Sequence, residues 1–223
     1  MSGGALSVPL VLRTTLGATR RSGAQHSQSL QALVAHIPGL KVVLPSTPYD
    51  AKGLLKAAIR DDNPVVFIED KMDFRVKGEV LVEEYTLPLG SADVKRVGED
   101  VTLVATSSMV RVCLEAADLL ETRGISAEVV DPRTLSPLDV DTLVRSAEKT
   151  GRAIVVDEGH RRYGVTAELA AVIAERAFYH LDAPVKRLGA LDVPVPFSPP
   201  LEDETVPTPE SVATAATELC SRS

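Results

Sequence analysis

The sequence carries only two cysteines, Cys113 and Cys220, far apart and without metal-type spacing. That excludes a disulfide framework and a zinc ribbon and fits a reducing compartment. No stretch approaches the roughly 18 unbroken apolar residues of a membrane span, and the opening run MSGGALSVPLVLRTT lacks the basic start and long apolar core of an export signal. Positive charge is also scarce: 24 Lys and Arg stand against 31 Asp and Glu, a formal net charge of −7. Neither nucleic acid nor an anionic membrane is therefore expected as the main partner, and a cytoplasmic location is. Signature loops are missing as well. There is no GxGxxG turn after a strand, no GxxxxGK[ST] loop and no GxSxG elbow, so autonomous dinucleotide, nucleoside triphosphate or hydrolase chemistry lacks its usual signal. An enzyme built on this chain needs help from elsewhere.

What is present is a globular composition, 44% hydrophobic and 25% charged over 223 residues, which suits two small domains better than one and excludes disorder. Short β-branched runs alternate with helix-patterned stretches, the rhythm of an α/β protein with a mostly parallel sheet. Strands are predicted at Val8 to Leu12, Leu40 to Leu44, Val65 to Glu69, Val101 to Thr106, Ala127 to Val130 and Ala153 to Asp157. Several are continuously apolar, as strands buried on both faces should be. Helices are predicted at Tyr49 to Arg60, Met109 to Arg123, Val140 to Lys149 and Val165 to Arg176. In the second of these, Val112, Ala116, Leu119 and Leu120 are expected to face the core, with Gly124 as C-cap. The charged stretch from Lys71 to Pro88, with Gly78 inside it, breaks the rhythm and marks a domain boundary at about residue 76. The first piece, 1–76, holds too few elements for an ordinary α/β domain, whereas 77–223 makes a complete one.

Two constellations carry chemistry. In Gly23-Ala24-Gln25-His26-Ser27-Gln28 a histidine sits between two amides on a loop of small residues. An imidazole titrates near neutrality, so it can carry protons while the amides fix its tautomer. The competing structural explanation is a helix N-cap by Ser27, with His26 as filler. His36 and His180 read as structural, and His160 in DEGHRRYG stays open because it follows a buried strand, where ligands approach an α/β sheet. The second constellation is the helix end Ala57-Ala58-Ile59-Arg60-Asp61-Asp62-Asn63-Pro64. Unpaired carbonyls and carboxylates there outline a site for a hard or monovalent cation, although a plain C-cap and turn explains the same residues. A third group, Asp131-Pro132-Arg133-Thr134-Leu135 with Asp139 and Asp141, reads as structural, with Ser136 or Asp139 capping the next helix.

The run RTTLGATRRSGAQHSQSLQALVAHIPGLKVVLPSTPYDAKGLLKAAIRDDNPVVFIEDK resembles the β subunit of the thiamine diphosphate-dependent dehydrogenase component of 2-oxo acid and acetoin dehydrogenase complexes. The likeness continues through LPLGSADVKRVGEDVTLVATSSMV, EVVDPRTLSPLDVDTL and LDAPVKRLGALDVPVPFSPPLED. Within it RTT, HIPGLKVV, PSTPYDAKGLL and VPVPFSP look most like the acetoin branch; pyruvate and branched-chain branches are the alternatives. The resemblance implies part of a transketolase-like pyrimidine-binding domain in 1–76 and a transketolase C-terminal-type domain in 77–223. It implies an α2β2 enzyme in which the α subunit holds diphosphate and Mg2+, a second β subunit completes the assembly, and the acyl unit passes to a lipoyl acyltransferase. Matched onto this sequence, His26 becomes the catalytic proton carrier, and Leu10, Ala58, Ile59, Asp61 and Asn63 become a potassium site. The family's glutamate that faces the aminopyrimidine belongs to a segment preceding Met1, so the chain alone is expected to be inactive, poorly soluble or oligomeric. A non-catalytic assembly module is the other reading. Thr19 and Arg20 stand where the acetoin branch has Gly and a bulky residue, so the loop before His26 is expected to differ in shape.

Overall fold

The computed structural model describes residues 6–221; Met1 and the whole MSGG run lie outside them. Two sheets carry the architecture, and the elements run β1 (Val11–Leu16), α1 (Gln31–Ala35), β2 (Lys41–Val43), α2 (Pro48–Ile59), β3 (Val65–Asp70), β4 (Asp93–Arg96), β5 (Val101–Ala105), α3 (Met109–Glu121), β6 (Ala127–Asp131), β7 (Thr134–Ser136), α4 (Val140–Thr150), β8 (Ala153–His160), α5 (Val165–Arg176), β9 (Lys186–Ala190), α6 (Pro199–Asp203) and α7 (Pro209–Cys220). The second sheet has the order β4-β6-β5-β8-β9, parallel except for β4. Its continuously apolar strands bury both faces. Leu103, Val129, Ile154 and Val156 meet α3 and α7, while Val104, Val130 and Val155 meet Leu143 of α4 and Leu169 and Ile173 of α5.

The first sheet has the order β1-β3-β2-β7. Its strands β1, β3 and β2 are parallel, with Val42, Val66 and Ile68 packed toward Val34 and Ala35 of α1, and Val43, Val65 and Phe67 toward Leu54 and Ala58 of α2. The fourth strand comes from far along the chain: β7 pairs antiparallel with β2 through Val42–Ser136 and Val43–Thr134. The structure thus makes a strand of a segment that reads as a turn in the sequence. The linker between the lobes is laid on α2, where Tyr85 stacks on Tyr49 with ring centroids 4.6 Å apart. A Cβ on Gly53 would lie 2.6 Å from Leu87, so only glycine lets the linker approach this closely.

Several sequence expectations shift. The first strand starts at Val11 rather than Val8 and runs on to Leu16, because its pairing with β3 sets its limits. The buried stripe of α3 is Val110, Cys113, Ala116, Ala117 and Leu120, with Val112 and Leu119 only partly covered. The stripe is rotated because α7 packs across this helix, and α7 left no strong pattern. Among the described residues no helix is long and apolar enough to cross a membrane.

β1 is an edge strand whose residues are mostly exposed, Leu12 at 55%. An open edge with apolar side chains is a template for pairing with another chain. Leu12→Lys should shift the chain toward monomer in analytical ultracentrifugation relative to the unsubstituted protein. Unchanged association would place the contact elsewhere.

Candidate functional site

The C-terminal ends of β1 and β3 in the first sheet meet those of β5 and β8 in the second, and the loop carrying His26 runs over this junction. Parallel strands place their C-terminal ends, and the loops that follow, where ligands bind in α/β proteins. A turn closed by the His26 N–H donating to the Gly23 carbonyl at 3.2 Å presents the exposed His26 side chain. The flanking amides do not hold the imidazole, contrary to the sequence expectation: Gln28 Nε2 donates to the Ala24 carbonyl at 3.0 Å and so braces the turn itself. Ser27 is no N-cap either. Its buried Oγ lacks a partner, and α1 begins only at Gln31. Lys71 Nζ donates to the His26 carbonyl and to that of Gly17 at 3.4 Å, tying both ends of the loop to the end of β3.

Carboxylates support the loop from below. The Ala18 N–H donates to Glu158, and the Arg21 N–H donates to Glu202 at 3.0 Å. Thr19 and Arg21 have φ of 64° and 58°, a left-handed conformation that costs a non-glycine residue about 1–2 kcal/mol, so the two buried acceptors hold strained backbone. Neighbouring Asp157 on β8 accepts from Gln31 Nε2 at 2.7 Å and from Thr106 Oγ1, and burial raises its carboxyl above the ordinary range. Asp73 is pushed up to about 6, first by burial and then by the charge of Asp70, against the pull of Arg111. Glu158, Glu202 and Asp70 are absent from the sequence reading. The available signal was the DEGH run itself, two acids placed directly after a continuously apolar strand.

The two segments that hold the residues expected at a cation site, the one with Leu10 and the turn after α2, meet at the opposite end of β1. The Leu10 carbonyl accepts from the Val65 N–H at 2.8 Å, and the Val8 N–H donates to the Asp62 carbonyl at 3.0 Å, so the segment before β1 lies along the turn after α2. There the Asn63 N–H turns to Asp61 Oδ1 at 2.9 Å instead of back to the Ile59 carbonyl, and Asp61 also accepts from Lys41. Six residues of β1 separate this corner from the His26 loop, about 20 Å of strand, so the two constellations lie too far apart to act on one ligand atom. Among the other histidines, His160 Nδ1 lies 2.7 Å from the Leu191 carbonyl, His180 Nδ1 lies 3.4 Å from Glu148, and His36 lines an open groove of about 690 Å3 between α1 and α5.

A second polar network joins the lobes at β4 and the β6–β7 turn. Lys95 Nζ lies 2.6 Å from Asp50, 2.8 Å from Asp93 and 3.7 Å from Asp131, and Arg133 lies 2.7 Å from Asp50 and 2.9 Å from Asp93. Asp50 and Asp131 are fully buried. Asp139 caps α4, its Oδ1 accepting from the Thr142 N–H at 3.1 Å, so the structural reading of that segment stands.

Residues 90–212 match the family "Transketolase, C-terminal domain" and residues 1–77 the family "Transketolase, pyrimidine binding domain". This chain belongs to the transketolase family. The transketolase-family chain is 54% identical over 98% of its length to acetoin:2,6-dichlorophenolindophenol oxidoreductase subunit beta of Bacillus subtilis, covering 64% of that protein. It is 46% identical over 96% of its length to 2-oxoisovalerate dehydrogenase subunit beta of the same organism, covering 66%. With pyruvate dehydrogenase E1 component subunit beta of B. subtilis it shares 52% identity over 88% of its length and 61% of that protein. The chain thus spans about two thirds of the length of these relatives. Among solved structures it is similar to a split gene transketolase described as an inactive beta4 tetramer, with a TM-score of 0.76 and 28% identity over 99% of this chain and 70% of that one. The likeness to dehydrogenase β subunits and the α/β transketolase architecture expected from sequence are both borne out.

Removing Lys95 leaves buried Asp131 without its cation while Asp50 keeps Arg133, and breaking such a buried pair costs about 3–5 kcal/mol. Asp131 is raised to about 6, burial outweighing Lys95, so it takes up a proton as the pH falls through that value. Lys95→Met should therefore destabilise the chain strongly at about pH 8 and less at about pH 5, as measured by urea denaturation. An equal penalty at both pH values would contradict this account.

Proposed function

We propose that the chain is part of the β subunit of a thiamine diphosphate-dependent dehydrogenase acting on acetoin, with pyruvate or a branched-chain 2-oxo acid as the alternative substrate. The reading is carried by the 54% identity with an acetoin oxidoreductase β subunit across 98% of the chain. In it, residues 1–76 supply part of the pyrimidine-binding side and 77–223 the C-terminal domain. An α subunit holding diphosphate and Mg2+, a second β subunit and a lipoyl acyltransferase are the partners of an α2β2 enzyme in the cytoplasm, and the chain by itself is inactive.

The residues present fit the edge of such a cofactor. An exposed imidazole is offered at the strand ends, and the exposed ring of Phe197 lies 3.8 Å from where a Cβ on Gly23 would be. Thiamine diphosphate, when bound, supplies the electron sink for breaking the bond beside the carbonyl. His26 carries a proton at an imidazole nitrogen to or from the reacting group. Lys71, Glu158 and Glu202 hold the backbone that presents it. The corner formed by Leu10, Ala58, Ile59, Asp61 and Asn63 offers oxygen donors of the kind a monovalent cation takes, and we assign it to potassium, which would pin the start of β1 to the end of α2.

In the full-length β subunit assembled with its α partner, His26→Ala should lower acetoin-dependent dichlorophenolindophenol reduction about 10²–10⁴-fold. A change under threefold would remove His26 from the chemistry. For potassium, the melting temperature should be higher in potassium chloride than in tetramethylammonium chloride, and Asp61→Ala should erase the difference. Equal melting in both salts would refute the assignment. A second reading, a non-catalytic assembly module, is favoured by the similarity to an inactive beta4 tetramer. It would be upheld if the assembled complex keeps its form but shows no turnover with any of these substrates.

A further inference from the structure

We propose that Glu158 is a positioning residue: through one proton shared with Asp70 it fastens the loop that carries His26 to the strand ends of the second sheet. The proton is required by the hydrogen bonds. Ser108 Oγ lies 2.8 Å from Asp70 Oδ2 and 3.1 Å from Glu158 Oε2. A hydroxyl has one hydrogen and can donate to only one of them. With both carboxyls ionised, the other contact would set lone pair against lone pair. One carboxyl must therefore carry a hydrogen, donated to Ser108 or directly to its neighbour. The remaining oxygens are acceptors already in use, Asp70 Oδ1 for the Met72 N–H at 2.6 Å and Glu158 Oε1 for the Ala18 N–H.

The surroundings offer no other neutralisation. Asp70 is fully buried and Glu158 is 7% exposed, and among the described residues neither carboxylate forms an ion pair with Lys, Arg or His. The charged groups nearby are committed elsewhere. Lys71 bonds the carbonyls of Gly17 and His26, and Asp73 pairs with Arg111 of α3 at 2.7 Å. Asp157 is held by Gln31, Thr106 and the Gly159 N–H, and Arg21 turns to Glu202 and Asp203. Burial, followed by the charge of Asp70, raises the Glu158 carboxyl well above its ordinary range.

The loop is shaped to this pair. Gly17 has φ of +114°, and a Cβ there would lie 2.8 Å from Asp70 Oδ2, so the backbone closes directly on the pair. Ala18 then donates to Glu158, and Lys71 carries the same fixation across to His26. The sign of the pH dependence follows. Because the folded carboxyl binds its proton more tightly than the unfolded one, the stabilisation is complete below the ordinary glutamate range and declines as the pH rises through the folded value. Above that value two adjoining buried anions repel each other and loosen the loop. The inference rests on the proposed function only in what His26 does at the end of the loop, because the fastening itself is independent of any activity.

The test is amide hydrogen exchange of the chain, expressed as protection factors so that the intrinsic pH dependence cancels. Protection of residues 17–28 should fall about tenfold or more between mildly acidic and alkaline pH, the scale of losing a hydrogen bond to a buried charged group. In Glu158→Gln and in Asp70→Asn an amide N–H replaces the shared proton, so protection should stay flat over the same range. A wild-type loop without pH dependence, or one whose dependence survives in both variants, would overturn the proposal. Should the variants not fold, carboxyl carbon-13 titration of the wild-type chain decides: one of the two groups protonated at neutral pH supports the shared proton, and both ionised there refutes it. A fastened loop together with an inert His26 would count against the proposed function and leave this inference intact.

Discussion

The junction between the two sheets depends on burying carboxylates without stranding their charge. An isolated carboxylate inside a protein is prohibitively costly, so each one must find a cation, a set of N–H and O–H donors, or a proton. All three solutions occur here. Asp50 takes Lys95 and Arg133, Asp157 takes Gln31 and Thr106, and Asp70 with Glu158 takes a hydrogen. Apolar packing would bring the lobes together in many registers, whereas these polar pairs are satisfied in one. The loop above them inherits that single geometry, which explains how it tolerates left-handed backbone at Thr19 and Arg21.

The core was legible because strands buried on both faces follow an elementary rule. Continuous apolar runs such as VTLVA and AIVV could only be buried on two faces, and they form β5 and the start of β8, with helices on either side. Elements that depend on distant partners were not legible. Three-residue β7 has no period of its own and exists because β2 offers an edge. β4, with the sequence DVKR, owes its place to pairing with β6 and to Asp50 and Asp131, the two acids outside the strand that meet Lys95. α7 was obscured by the proline-rich stretch before it, although Thr208 and Ser211 form a capping box at its start.

The candidate sites divide in the same way. His26 and the Ala58–Asn63 turn stand out as residue types in a short stretch, and the sequence alone could not choose between a chemical and a structural role for them. The resemblance to a family made that choice. What neither could supply was the support: Glu158 lies far along the chain from Ala18, and Glu202 farther still from Arg21. Such partners emerge only when topology is known, and a sequence motif therefore names the displayed residue while leaving out the scaffold that displays it.

The pairing of β7 with β2 also orders events during synthesis. The first sheet cannot gain its outer strand until the ribosome has made the segment holding Thr134–Ser136, roughly 5–20 s after β2 at a translation speed of about 5–20 residues per second. During that interval β2 rather than β7 is the outer margin of the first sheet. The unpaired backbone of β2 is thus open to pairing with another chain only for a definite interval of translation, one that closes when the second lobe delivers β7 against it.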